Sequence, residues 1–191
     1  MYVKLVDQLI KREIINPMDA DLYLYGLRNG ILLLISIIAF LAIGLIFNKF
    51  VEIIVFLLSY APLRQYCGGY HAKTAKRCFI GSVLAILLVI VVLDNINWTI
   101  ELCFLAVLIS ALIIFKLAPV ADPNKPFDED EVWVFKESAR FVLAVELLLI
   151  VVFIQYGFIF LLSSMSLAFI AIALMLVLGA LKWKYLVVNG N

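Results

Sequence analysis

Charged residues cut the chain into six long apolar stretches, which predict helices near 30–47, 50–61, 75–93, 99–118, 141–160 and 161–181. The apolar runs are continuous and do not alternate, which favours helices over the strands of a barrel. A helix needs about 20 apolar residues to cross a bilayer. All five prolines (Pro17, Pro62, Pro119, Pro123, Pro126) fall at expected ends or in loops. The first span is expected to start early. Asn16 suits an N-cap, Pro17 the first helical position and Asp19 the positive first turn, so that helix can run from Pro17 to Phe47.

Residues 1–15 read differently. Lys4, Asp7, Gln8, Lys11 and Arg12 recur at helical spacing, with Tyr2, Val3, Leu5, Val6, Leu9 and Ile10 on the other face. This predicts an amphipathic helix lying on the membrane surface. It does not read as a signal peptide, because the apolar segment begins too late, runs too long and lacks a small-residue cleavage site. The second stretch is short. Lys49 and Pro62 are about 13 residues apart, with Glu52 between them, so it predicts a short crossing or a re-entrant hairpin with the first helix. A break near Gln155–Gly157 makes the fifth and sixth spans a tight antiparallel pair.

Composition turns this pattern into a class. The 191 residues are 66% hydrophobic and 15% charged, with a mean hydropathy of +1.14, too apolar for a water-soluble globule. The expected fold is all-α: a polytopic membrane bundle of about six transmembrane helices behind an N-terminal amphipathic interfacial helix, forming a single domain over 1–191. Its medium is the lipid bilayer. A net charge of +1 argues against a nucleic-acid partner. Arg64, Lys73, Lys76 and Arg77 crowd the 62–77 loop, and Lys125, Lys136 and Arg140 lie in the 119–140 loop. Lys182 and Lys184 follow the last span, and Lys4, Lys11, Arg12 and Arg28 lie toward the N-terminus. Six crossings place all of them, both termini and the 62–78 segment in the cytoplasm, leaving only Lys49 outside.

Candidate chemistry concentrates in Pro62–Cys78, which holds the only histidine and two of the three cysteines. One histidine gives no multi-histidine metal site, and no cofactor is expected. Thr74 is a candidate N-cap, placing Cys78 in the opening of the next helix. The helix N-terminus and the neighbouring Lys76 and Arg77 favour negative charge on that sulfur. His71 and Cys78 are seven apart. In one straight helix they would stand about 10 Å apart along the axis, too far for proton transfer. A His71–Cys78 dyad therefore requires a chain break between 71 and 75, which Gly68–Gly69 and the Thr74 cap permit. Cys67, four before His71, is a rival nucleophile, although the adjacent glycines argue against a helix there. Cys103 lies mid-span and reads as packing.

The segment from Arg64 through Gly68-Gly69-Tyr70-His71-Ala72 to Cys78 resembles the motif of the accessory gene regulator B (AgrB) family of bacterial membrane cysteine endopeptidases. Ala118-Pro119-Val120 with Pro123-Asn124-Lys125-Pro126 resembles that family's cytoplasmic loop. The resemblance implies His71 as general base and Cys78, rather than Cys67, as nucleophile on a small membrane-associated propeptide. Cleavage would release the propeptide's C-terminal tail. The retained fragment, held as a thioester, would then cyclise to a thiolactone or lactone. It further implies that Arg64 binds a substrate carboxylate or positions the loop, that Gly68 and Gly69 shape that loop, and that the protein is a homodimer. Gln65 is an oxyanion donor by analogy only. Asp19, Asp21 and Asp122 are equal candidates to orient His71.

Three acids lie in or near spans. Glu146 is expected to pair with Lys116, and Glu101 to be solvated. Asp128–Glu131 reads as a helix start. Trp98, Trp133 and Trp183 fall at expected interfaces. The rival function is a small transporter or peptide-export subunit, in which Glu52, Glu101 and Glu146 would converge on one path.

Overall fold

The computed structural model describes residues 2–12, 14–70, 72, 74–121 and 128–189. These residues form seven α-helices: α1 (Tyr2–Lys11), α2 (Ala20–Ile46), α3 (Phe50–Cys67), α4 (Ala75–Asn95), α5 (Ile100–Leu117), α6 (Glu129–Tyr156) and α7 (Ile159–Asn189). The chain forms two compact units, Met1–Ala42 and Ile43–Asn191.

In the first unit α1 keeps Val6 buried and turns Asp7, Gln8 and Lys11 outward, as an amphipathic helix requires. The Asn16 side chain accepts the Met18 N–H at 3.0 Å, and Pro17 opens a short 3-10 turn that feeds α2. The expected start of the first span is therefore observed. Most of α2 is exposed and apolar, a surface suited to lipid.

Five helices are long and apolar enough to cross a membrane: Pro17–Ile46, Phe50–Cys67, Ala75–Asn95, Ile100–Leu117 and Ile159–Lys182. The other expected crossing, 141–160, falls largely in α6, which is not among these five; that helix begins much earlier, at Glu129, and ends at Tyr156. Asp128 is its N-cap, and the Glu131 carboxylate accepts the Asp128 N–H at 3.2 Å, so the acidic run is a helix start. Gly157, left-handed at φ 70°, ends α6 and turns the chain into α7.

Two expectations about α3 need correction. It does not stop before Pro62 but continues to Cys67 with Pro62 inside it. Proline removes one helical hydrogen bond. In an apolar medium, however, unwinding the last turn would strand several more backbone groups. Packing holds that turn in place, since Leu63 and Cys67 are both fully buried. The doubt about a helix at Cys67 is removed with it. The segment is one continuous 18-residue helix, about 27 Å long by its rise per residue and long enough to cross a bilayer.

α7 is the centre of the second unit. Most of its span is buried, against less than a third of every other span. It packs on α3 and α5 through Leu162, Met165, Phe169, Ile172 and Leu176. Ser163, Ser164 and Ser166 are buried in its first half. Their hydroxyls donate back to carbonyls three or four residues earlier, so small polar side chains line the contact without stranding a donor.

The expected Glu146–Lys116 pair does not form. Lys116 is exposed on α5, whereas Glu146 faces α3 and accepts the Ser59 hydroxyl at 2.8 Å inside the bundle. At the start of α3, Lys49 lies 3.0 Å from Asp94 and 3.6 Å from Glu52, tying that end to the end of α4. The Asp94 hydrogen bond, with the Asp94 and Glu52 charges, holds the Lys49 ammonium above its ordinary pKa against desolvation.

Ser59→Ala leaves the buried Glu146 carboxyl without its donor and is expected to destabilise the bundle by about 1–3 kcal/mol. Thermal unfolding in detergent checks this. Adding Glu146→Leu should recover most of the loss, because both polar groups are then gone.

Candidate active site

The motif residues gather where α3 ends and α4 begins. α3 stops at Cys67, and Thr74 adopts an extended conformation (φ −137°, ψ 148°) as the N-cap of α4. The Thr74 hydroxyl accepts the Arg77 N–H at 3.3 Å, and the Cys78 N–H donates to the Thr74 carbonyl at 3.0 Å. The helix break required between 71 and 75 is thus present at Thr74. Cys78 stands in the opening turns of α4, exposed, with Lys76 and Arg77 exposed beside it. His71 lies outside the described residues, as do Lys73 and Asp122 and the second motif stretch from Pro123 to Pro126. The Trp183 side chain also lies outside them.

The other two cysteines are buried, Cys67 at the end of α3 and Cys103 in α5. Cys67 is part of the core, packed with Leu63, Ile114 and Leu176 in one cluster. Of the three thiols, only Cys78 is accessible to a peptide.

The chain between Cys67 and Tyr70 is held on several sides. The Gly69 N–H donates to the Val120 carbonyl at 2.9 Å, and the Val120 N–H returns to the Cys67 carbonyl at 2.9 Å. This one parallel bridge ties the post-α5 segment Ala118–Val120 to the end of α3. The Ala118–Pro119 peptide is cis. The Tyr70 N–H donates to the Met175 carbonyl of α7 at 2.9 Å. Arg64 completes the clamp by donating to the carbonyls of Gly68 and Tyr70. Its guanidinium is therefore engaged by its own chain.

Glycine is required at both turns of this segment. Gly68 has φ 68° and Gly69 φ 103°, conformations that a side chain disfavours. A Cβ on Gly69 would also come within 2.7 Å of Arg64 Nη1 and 2.8 Å of the Met175 carbonyl oxygen. Gln65 is exposed on α3. Asp19 and Asp21 belong to the first unit.

Tyr60, not singled out from the sequence, belongs to this neighbourhood. It is half-buried, stacks on Phe56 at 5.4 Å, and lies within electrostatic range of both Arg64 and Cys78. The available signal was its place one helical turn before Arg64.

A thiol reagent is expected to modify Cys78 in the folded protein, and Cys67 and Cys103 only after unfolding. Peptide mapping by mass spectrometry reads this directly.

The sequence matches the family model of accessory gene regulator B over residues 3–186. Putative AgrB-like protein 2 of Clostridium perfringens (strain 13 / Type A) is 28% identical over 138 residues, 66% of this chain and 64% of that protein. Putative AgrB-like protein of Clostridium perfringens (strain SM101 / Type A) is 34% identical over 115 residues, 56% and 53% of the two chains. Accessory gene regulator protein B of Staphylococcus intermedius is 29% identical over 84 residues, 44% and 45%. The matched part thus spans about half to just under two thirds of these relatives' length. No solved structure matches. With the family model covering nearly the whole chain, on a helical multi-pass membrane framework, this protein belongs to the accessory gene regulator B family.

Proposed function

We propose that this protein is a membrane cysteine endopeptidase that cleaves a small propeptide and joins the retained fragment into a ring. The observation that carries this reading is the single exposed thiol, Cys78. It stands just past the helix break that follows a clamped Gly68–Tyr70 segment. Family membership supplies the substrate class, a precursor of an autoinducing peptide.

In this reading His71 takes the proton from the Cys78 thiol as the sulfur attacks the scissile carbonyl. The tetrahedral oxyanion collapses, the C–N bond breaks, and His71 returns the proton to the leaving amine. The tail departs with a new amino terminus, and the retained fragment remains as a thioester on Cys78. A cysteine or serine side chain of that fragment then attacks the thioester carbonyl, giving its proton to His71. The Cys78 sulfur leaves and recovers a proton, and the product is a thiolactone or lactone. Water must be scarce, because hydrolysis of the thioester competes with closure. A nucleophile in the opening turns of an apolar helix suits that need.

Arg64 acts here by holding the loop, since its donors are turned onto the Gly68 and Tyr70 carbonyls. We also place the site and both termini in the cytoplasm, from the distribution of Lys and Arg, and expect a homodimer from the family. A transporter is less well supported. Glu52 is paired with Lys49, Glu101 is exposed, and Glu146 is buried against Ser59, so the three acids do not share one environment.

The test is mass spectrometry of a tagged propeptide from a small reading frame beside this gene, co-expressed with each variant. Wild type should release the tail, and the fragment mass separates ring from hydrolysed product. Cys78→Ala should abolish cleavage, and His71→Ala should lower it by about 10²–10⁴-fold. Cys67→Ala should be nearly silent. Cleavage lost in Cys67→Ala but kept in Cys78→Ala would overturn the assignment.

A further inference from the structure

Met175, Gly179 and Lys182 recur at helical spacing on one face of α7. That face meets the chain leaving Gly69. The Met175 carbonyl accepts the Tyr70 N–H at 2.9 Å, and Lys182 Nζ sits 5.0 Å from the centre of the Tyr70 ring. Between these two contacts lies Gly179. A Cβ there would stand 2.7 Å from the Tyr70 nitrogen, 2.8 Å from the Gly69 carbonyl carbon and 2.9 Å from the Gly69 Cα. All three are main-chain atoms, so none can swing aside as a side chain would. The same chain is also held by hydrogen bonds to Val120 and Arg64. Any side chain at 179 must therefore move the Gly69–Tyr70 backbone or push α7 away from it.

We propose that Gly179 is a positioning residue for the active site. By letting α7 touch the Gly69–Tyr70 backbone directly, it fixes where the chain departs toward His71 and so sets the reactivity of Cys78. The inference rests on the reading of His71 as the base for Cys78. Gly179 itself contacts neither. Displacement by about 1 Å is enough to cost a dyad up to about 10²-fold in rate.

The experiment measures alkylation of Cys78 by iodoacetamide on the full-length protein in detergent, between about pH 5 and 10, read by peptide mass spectrometry. It needs no propeptide. Thermal unfolding is recorded for each variant. His71→Ala is expected to move the pH profile of Cys78 alkylation upward. Gly179→Ala should move it in the same direction by at least half as much and slow alkylation near neutral pH about tenfold or more, with an unfolding temperature lowered by the clash but still above that of the assay. Lys182→Met should give a smaller shift of the same sign. Gly26→Ala, where a Cβ meets open space, should change nothing. A folded Gly179→Ala with the wild-type profile, beside a shifted His71→Ala, would overturn the positioning role and leave the dyad standing. An unshifted His71→Ala would overturn the dyad and this inference with it. Should Gly179→Ala fail to fold, Lys182→Met decides by the same profile: a shift supports the inference and its absence overturns it.

Discussion

Backbone that leaves a helix against a packed bundle cannot leave its buried polar groups unpaired, so it must find its hydrogen bonds inside the protein. The segment from Cys67 to Tyr70 meets that constraint by turning its polar groups to three neighbours: Val120 after α5, Met175 on α7, and the Arg64 guanidinium one turn back on α3. The same bonds join three separate parts of the chain next to the helix that presents Cys78. Satisfying the backbone and shaping the candidate site are thus one physical event. This also explains why two successive glycines and a third on α7 are needed there: the partners can be reached only if the chains approach without side chains between them.

α7 makes this arrangement possible because, within the second unit, it is the helix that α3, α4, α5 and α6 all contact. Buried serines bonded to their own helix let neighbours come close at one end, and Gly179 does so at the other. Lys49 joins α3 to α4 at one end through Asp94, while Ser59 satisfies the buried acid Glu146 in the middle. The exposed thiol and basic residues lie at the opposite end of α3 and α4 from Lys49.

Much of this was legible in the sequence where a local rule decides. Asn16, Thr74, Thr99 and Asp128 cap helices because short polar side chains reach exposed amides, and three of these were read as caps or helix starts from sequence alone. Apolar run length placed the spans. Reading failed where tertiary contact overrules the local rule. Pro62 looked like a stop, yet packing of Leu63 and Cys67 carries the helix past it. Lys116 looked like the counter-charge for Glu146, but which face of α5 points inward is settled only by packing, and Ser59 took that place. Within the site, the motif residues were visible as a cluster, and the glycine turns followed from their spacing. The clamp was not visible. Val120, Met175 and Gly179 contribute backbone or an absent side chain, which carry no chemical signature in one sequence.

The most direct test of the central claim is to catch the acyl-enzyme. The purified protein, mixed with its propeptide and quenched in acid, would be measured by intact mass and peptide mapping. An adduct equal to the tail-less fragment, located on Cys78 and released by neutral hydroxylamine, is the predicted result. Tail release with no adduct on Cys78, or an adduct mapped to Cys67, would contradict the account.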